Sequence, residues 1–257
     1  MNKVYKYSSF DEDVVITSGQ DYQLPEDYRH IRDGWWERLW SAIVYGFFSL
    51  VARIWLRWGL HARFVGRKKL LRVPQDKGFF VYGNHTQEFG DPMIALALGF
   101  RPVQRRMRAL CAPSNLGVPV IGPLIPYLGG LPIAPGREGL QKTEDAVSWC
   151  CKKGQPIVIF PEAHVWPWYT GIRPFSSASF HYPVRENLPV FAMTVTYQKR
   201  RRGPRPQTTI YIDGPWLPDP VLPQREQKKK LCDTVRLSME LRAENSTCAY
   251  ADYLKEE

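Results

Sequence analysis

Ten consecutive residues, Gly83-Asn84-His85-Thr86-Gln87-Glu88-Phe89-Gly90-Asp91-Pro92, concentrate the groups in this chain best suited to move a proton. Histidine exchanges a proton near neutral pH more readily than any other side chain. A carboxylate close behind it can hold the ring's tautomer and stabilise the imidazolium, as aspartate does in a hydrolytic triad. Asp91 follows His85 with five residues between them, and Glu88 stands three after His85, so either carboxylate could serve. No serine or cysteine sits in an elbow-type motif. The histidine would then deprotonate the substrate directly. Taken alone, one histidine near one aspartate reads more readily as a structural loop.

A second cluster is Val158-Ile159-Phe160-Pro161-Glu162-Ala163-His164. An apolar run again ends in a polar loop with a carboxylate. Glu162 could bind a ligand hydroxyl or an arginine; alone it is a strand-end glutamate.

Together the two clusters resemble the glycerophosphate and lysophospholipid acyltransferase superfamily. Its first motif is Asn-His followed by an Asp, matched by Asn84, His85 and Asp91. Its third is Phe-Pro-Glu-Gly, matched by Phe160-Pro161-Glu162-Ala163. Gly129-Gly130-Leu131-Pro132-Ile133 and Leu188-Pro189-Val190-Phe191 look like its second and fourth, which are less specific. The resemblance runs from about residue 60 to about residue 200. There are departures. The family usually has four residues between His and Asp, one fewer than here. Pro135 falls where the second motif ends in Arg, and Arg137 is the nearest replacement. The Thr-Arg that usually follows the third motif is replaced by His164-Val165 and an aromatic run, Trp166 to Tyr169, with Arg173 later.

The resemblance implies acyl transfer from a thioester, acyl-CoA or acyl-carrier protein, to a hydroxyl of a lysophospholipid or glycerophosphate-like acceptor. His85 would be the general base and Asp91 its orienting partner. Backbone amides near Gly83 or Gly130 would meet the oxyanion. Asn84, Glu88, Gly130, Arg137, Glu162 and Arg173 would surround the substrates, with Arg137 and Arg173 facing an anionic acceptor across from Glu162. No metal or redox cofactor is implied. The same pair would also suit a lipid hydrolase or transacylase, and the altered loops leave room for a non-catalytic membrane-binding protein on this scaffold.

These residues need a frame to hold them. Short apolar runs at 61–66, 78–83, 106–112, 131–134, 156–160, 188–197 and 207–212 read as strands. Residues 92–99, 137–153 and 223–243 read as helices, the second stopped by Gly154. Strands alternating with helices predict an α/β fold, a mixed, mostly parallel sheet flanked by helices. Residues 1–34 read as irregular, 35–59 as a membrane-associated helix, and 60–257 as the α/β domain.

The helix at Trp35–Trp58 is distinctive. Leu39 to Ala52 carries no charge, yet it is shorter than the roughly 20 residues that span a bilayer. Ser41, Tyr45, Ser49, Arg53 and Arg57 recur every four residues, a slanted polar stripe on an otherwise apolar helix. Such a helix suits the membrane interface, stripe toward water or protein; a buried core helix shows the same breadth of apolar surface.

The net charge of +10 favours anionic surroundings, but no nucleic-acid-binding signature accompanies it. The basic runs, Arg101 to Arg108 and Lys199 to Arg205 among them, read either as solvated loops or as contacts to an anionic partner. Five cysteines without metal spacing fit free thiols in a reducing compartment. The start lacks a signal peptide's basic and apolar regions. The expected partners are membrane lipids and the thioester donor, not nucleic acid, and the expected place is the cytoplasmic face of a membrane.

Overall fold

The structure, a computed structural model, describes residues 3–15, 21–100, 103, 105–201, 203 and 205–256. Arg101 and Arg202, within the basic runs, lie outside the described residues. A seven-stranded sheet forms the centre, in the order β2-β8-β7-β3-β6-β4-β5. Its strands are β2 (Arg63–Val65), β3 (Phe80–Gly83), β4 (Arg108–Cys111), β5 (Gly130–Pro132), β6 (Ile157–Ile159), β7 (Val190–Gln198) and β8 (Gln207–Trp216). All neighbours run parallel except β7 and β8, which form an antiparallel pair. The mixed, mostly parallel sheet expected from the sequence is therefore present.

Every residue of β3 and β6 is buried, because helices cover both faces of the sheet. One apolar layer joins Phe79, Val81, Phe191 and Met193 to Leu56 of α1 (Trp35–Trp58) and to Ile94 and Leu98 of α2 (Gly90–Phe100). The other joins Phe80, Tyr82 and Ala192 to Val147 of the 136–152 helix and to Val235 and Met239 of the 224–243 helix.

The polar stripe of α1 faces the protein. Ser41, Tyr45, Ser49, Ala52 and Leu56 are buried. Ser41 donates to the Tyr127 carbonyl (2.9 Å), and the Tyr45 hydroxyl accepts from the Met107 amide (2.9 Å). Only the last two stripe residues, Arg53 and Arg57, reach solvent. The opposite face is apolar and open: Trp36, Trp40, Ile43, Phe47, Leu50 and Ile54 are exposed. Since Leu56 belongs to the same core layer as the central strands, residue 59 is not a packing boundary.

The first 34 residues, read as irregular, carry a strand. β1 (Lys3–Tyr7) pairs in parallel with β9 (Ala251–Lys255), Lys3 opposite Ala251 and Tyr7 opposite Lys255. Two short segments at opposite ends of the chain complete each other, and neither shows its partner locally. This small sheet is fastened to the domain by Trp166, which is fully buried. The Trp166 ring stacks on Tyr253 (4.9 Å, 2°) and Phe10 (5.5 Å), and its Nε1 donates to the Glu12 carbonyl (3.1 Å). Trp166→Ala should therefore cost about 3–5 kcal/mol in chemical denaturation. It should also make the N-terminal segment sensitive to limited proteolysis, whereas Trp166→Phe should keep most of the protection.

Candidate active site

β3 lies between β6 and β7 and parallel to both, so the loops leaving β3 and β6 emerge side by side at the carboxyl edge of the sheet. Such an edge is where open α/β sheets hold ligands. The β3 loop carries residues 84–91 and the β6 loop residues 160–164. Gly83 opposes Met193 of β7, which continues to Gln198 and so stands behind the first loop. A Cβ on Gly83 would lie 2.8 Å from the Phe160 ring, so only glycine lets the two loops approach this closely.

Asn84 ties the β3 loop to β7. Its Nδ2 donates to the Val195 carbonyl (3.0 Å) and its Oδ1 accepts from the Val195 amide (2.8 Å). Both ends of this buried amide are thus used within the fold.

His85 Nδ1 and Asp91 Oδ2 lie 2.7 Å apart. The same oxygen accepts the backbone N–H groups of Thr86 and Gln87, each at 2.9 Å. Asp91 is fully buried in the first turn of α2, where the helix dipole favours a negative charge. Its Oδ1 is buried without a partner among the described residues. The His85 side chain is 16% exposed and stacks on Phe160 (4.6 Å, 20°). Of the two carboxylates considered for this histidine, Asp91 is the one in contact; Glu88 is half-buried on the rim of a neighbouring cleft.

Glu162 and Arg173 form a buried pair, each side chain about 1% exposed. Glu162 Oε2 accepts from Arg173 Nη2 (3.1 Å) and from the His85 backbone amide (3.1 Å), and Oε1 accepts from the Arg173 amide (3.0 Å). Burial pushes the Glu162 carboxyl above its ordinary range, while the Arg173 guanidinium and two backbone amides pull the other way. Arg173 also donates to the Phe10 and His164 carbonyls and lies over the Trp166 ring. Its fork is therefore spent inside the protein, and the arrangement expected from the sequence, Arg173 turned toward an acceptor, is not formed.

Arg137 is elsewhere. It is exposed in the first turn of the 136–152 helix, next to β5. Gly130 opens β5, three strands from β3 and so on the order of 14 Å away along the sheet. The structure gathers Asn84, His85, Asp91, Glu162 and Arg173, places Glu88 at the rim, and leaves Gly130 and Arg137 at the sheet's outer edge.

Several contributors escaped the sequence reading. Tyr197, at the far end of β7, meets Thr86 Oγ1 (2.7 Å) and accepts from Gln87 Nε2 (3.2 Å). Burial, and then the nearby Asp91, push its hydroxyl well above the ordinary tyrosine value, so it stays protonated. The amides of Trp166 and Trp168 donate to the His85 and Thr86 carbonyls (3.0 and 2.8 Å), lacing the two loops together. A cleft of about 410 Å³ runs along Thr86–Gly90, lined by Trp55, Leu60, Phe89, Trp168 and Tyr250 and also by Lys3 and Arg205.

A His–Asp pair at the carboxyl edge of a mostly parallel sheet, beside a cleft with aromatic walls, has the geometry that general-base chemistry needs. Residues 65–196, just over half of the chain, match the Acyltransferase family, and the chain belongs to that family. The protein is an acyltransferase. A comparison with curated proteins gives no match. Among solved structures, the fold is similar to that of the 1-acyl-sn-glycerophosphate (LPA) acyltransferase PlsC from Thermotoga maritima. The TM-score is 0.57 at 18% identity, over 85% of this chain and 86% of that one.

Two outcomes follow from this geometry. Ala163 sits at φ 63°, the left-handed region that penalises a Cβ, at the place where the family motif has glycine. Ala163→Gly should raise stability by about 1 kcal/mol in denaturant titration without loss of turnover. Arg173→Met should cost about 3–5 kcal/mol, because Glu162 would be left buried and unpaired. Adding Glu162→Gln should recover part of that loss, a coupling read from a double-mutant cycle.

Proposed function

We propose that this acyltransferase moves a fatty acyl group from a thioester, acyl-CoA or acyl-carrier protein, to a hydroxyl of a lysophospholipid or glycerophosphate-like acceptor. The observation that carries the reading is the 2.7 Å contact between His85 Nδ1 and Asp91. It commits one ring nitrogen and leaves Nε2 without a partner among the described residues on a ring still open to solvent. His85 Nε2 takes the acceptor's hydroxyl proton as that oxygen attacks the thioester carbonyl. Asp91 stabilises the imidazolium. The proton then passes to the departing thiolate.

The Glu162–Arg173 pair, through its bond to the His85 amide, holds the base in place rather than touching substrate. Trp55, Phe89 and Trp168 give the cleft an apolar wall suited to a lipid chain. Among the arginines considered for the acceptor, Arg137 keeps an open guanidinium.

Membrane association is part of the reading. At 24 residues α1 is long and apolar enough to cross a bilayer. One face is committed to the protein, however, and the other presents Trp36, Trp40, Ile43 and Phe47 outward. A helix with one face docked and an aromatic, apolar face free suits the interface plane. We place the protein on the cytoplasmic leaflet, beside its lipid acceptor.

The test is thiol release from acyl-CoA with lysophosphatidic acid as acceptor. His85→Ala should lower kcat by about 10²–10⁴-fold while the protein stays folded. Asp91→Asn should lower it too, and Glu88→Gln should leave it near wild type. A folded His85→Ala protein with near-normal turnover would remove the mechanism. Acyl groups released to water but never to the acceptor would make the enzyme a hydrolase.

A further inference from the structure

Arg105, Arg106 and Arg108, in a basic run for which solvated loops are one sequence reading, are buried or half-buried. Arg105 and Arg108 are 8% and 7% exposed. Arg105 is fully employed: it donates to Gln75 Oε1 and to the carbonyls of Lys77, Gly154 and Val73. Arg106 and Arg108 are not. Arg106 donates through Nη2 to Ser41 Oγ and the Tyr127 carbonyl, lies over the Tyr45 ring, and has a buried Nε with no partner. Arg108 donates through Nε to Gln155 (2.8 Å). Neither meets a carboxylate among the described residues. Burial, and then Arg108, push the Arg106 guanidinium down to about 10, so the two cations oppose each other.

Both line a groove of about 560 Å³ beneath one flank of α1. Arg38, Ala42 and Gly46, spaced every four residues, form that flank, and two small side chains leave it open. A Cβ at Gly46 would meet nothing within 4 Å. Arg32 adds another guanidinium with an unpartnered buried Nε. The groove's one carboxylate among the described residues, Asp33, is 3.8 Å from Arg38. Burying like charges without counterions is costly, and an anion entering the groove would remove that cost. Arg108 opens β4 and Gln155 precedes β6, so the groove lies at the edge of the sheet opposite His85.

We propose that this groove binds the headgroup phosphate of an anionic membrane phospholipid, as a docking site separate from the active site. The inference rests on α1 lying at a membrane surface. The free apolar face of α1 adjoins the flank, so a lipid whose phosphate meets Arg106 and Arg108 can lay its chains beside Ile43 and Phe47. A guanidinium fork suits a phosphate because it supplies parallel donors.

Flotation of the full chain with vesicles tests this, comparing phosphatidylcholine alone with a phosphatidylcholine–phosphatidylglycerol mixture. The wild type should prefer the mixture. Arg106→Gln and Arg108→Gln should each cut that preference roughly fivefold, the weight of one basic residue at an anionic surface. Gly46→Leu, which blocks the groove without changing charge, should cut it as well, whereas Arg225→Gln on the 224–243 helix should not. Thermal unfolding identifies any variant that fails to fold, and Gly46→Leu has room to fold. Equal binding of both vesicle types, or full preference in a folded Gly46→Leu protein, would overturn the groove. So would loss of inorganic phosphate binding in Arg106→Gln with vesicle preference intact, which assigns the groove to free phosphate. Binding to neither vesicle would overturn the membrane placement itself.

Discussion

A carboxylate shut away from water governs this molecule. Asp91 is fully buried, and an ion in that position persists only where donors surround it. Three converge on one oxygen: the His85 ring and the amides of Thr86 and Gln87. The loop after β3 must therefore curl around the start of α2. That curl holds the imidazole against Asp91 and absorbs the five residues between His85 and Asp91. The N-terminal turn of α2 adds its favourable field to the same charge.

Around this centre each layer holds the next. β7 outlasts β3, so Asn84 grips Val195 and Tyr197 reaches Thr86 and Gln87 from behind. A second buried charge, Glu162, holds the His85 amide and is neutralised by Arg173. The acyltransferase domain has in effect two shielded carboxylates on adjacent loops, one bonded to the histidine's ring and one to its backbone. Phe10 and Glu12 accept from Arg173 and Trp166, so the small sheet made by the two chain ends closes over the second carboxylate.

Much of the frame was legible because its strands are buried on both faces and read as unbroken apolar runs, as at 156–160. The His–Asp pairing was legible too, as two chemical types at a short spacing before a helix. What stayed hidden depends on distance in sequence. β1 finds β9 at the other end of the chain, and nothing in Lys3–Tyr7 names that partner. Arg173 looked like a free guanidinium, because its enclosure needs Phe10, His164 and Trp166 at once. Solvation was one reading of the run from Arg105 to Arg108, since charge patterning cannot show that α1 folds across it. The four-residue polar stripe of α1 was visible, and the structure turns it inward, leaving the apolar face outside.

Whether His85 can act as the base depends on which of its nitrogens carries the proton. Nitrogen NMR of the protein labelled in its five histidines, with His85 assigned by its loss in His85→Ala, reads this directly. At neutral pH the Nδ1 signal should be that of a protonated nitrogen, hydrogen-bonded to Asp91, and Nε2 that of a bare one able to accept the acceptor's proton. A proton resident on Nε2, with Nδ1 bare, would contradict the pairing and leave the ring unable to act as the base.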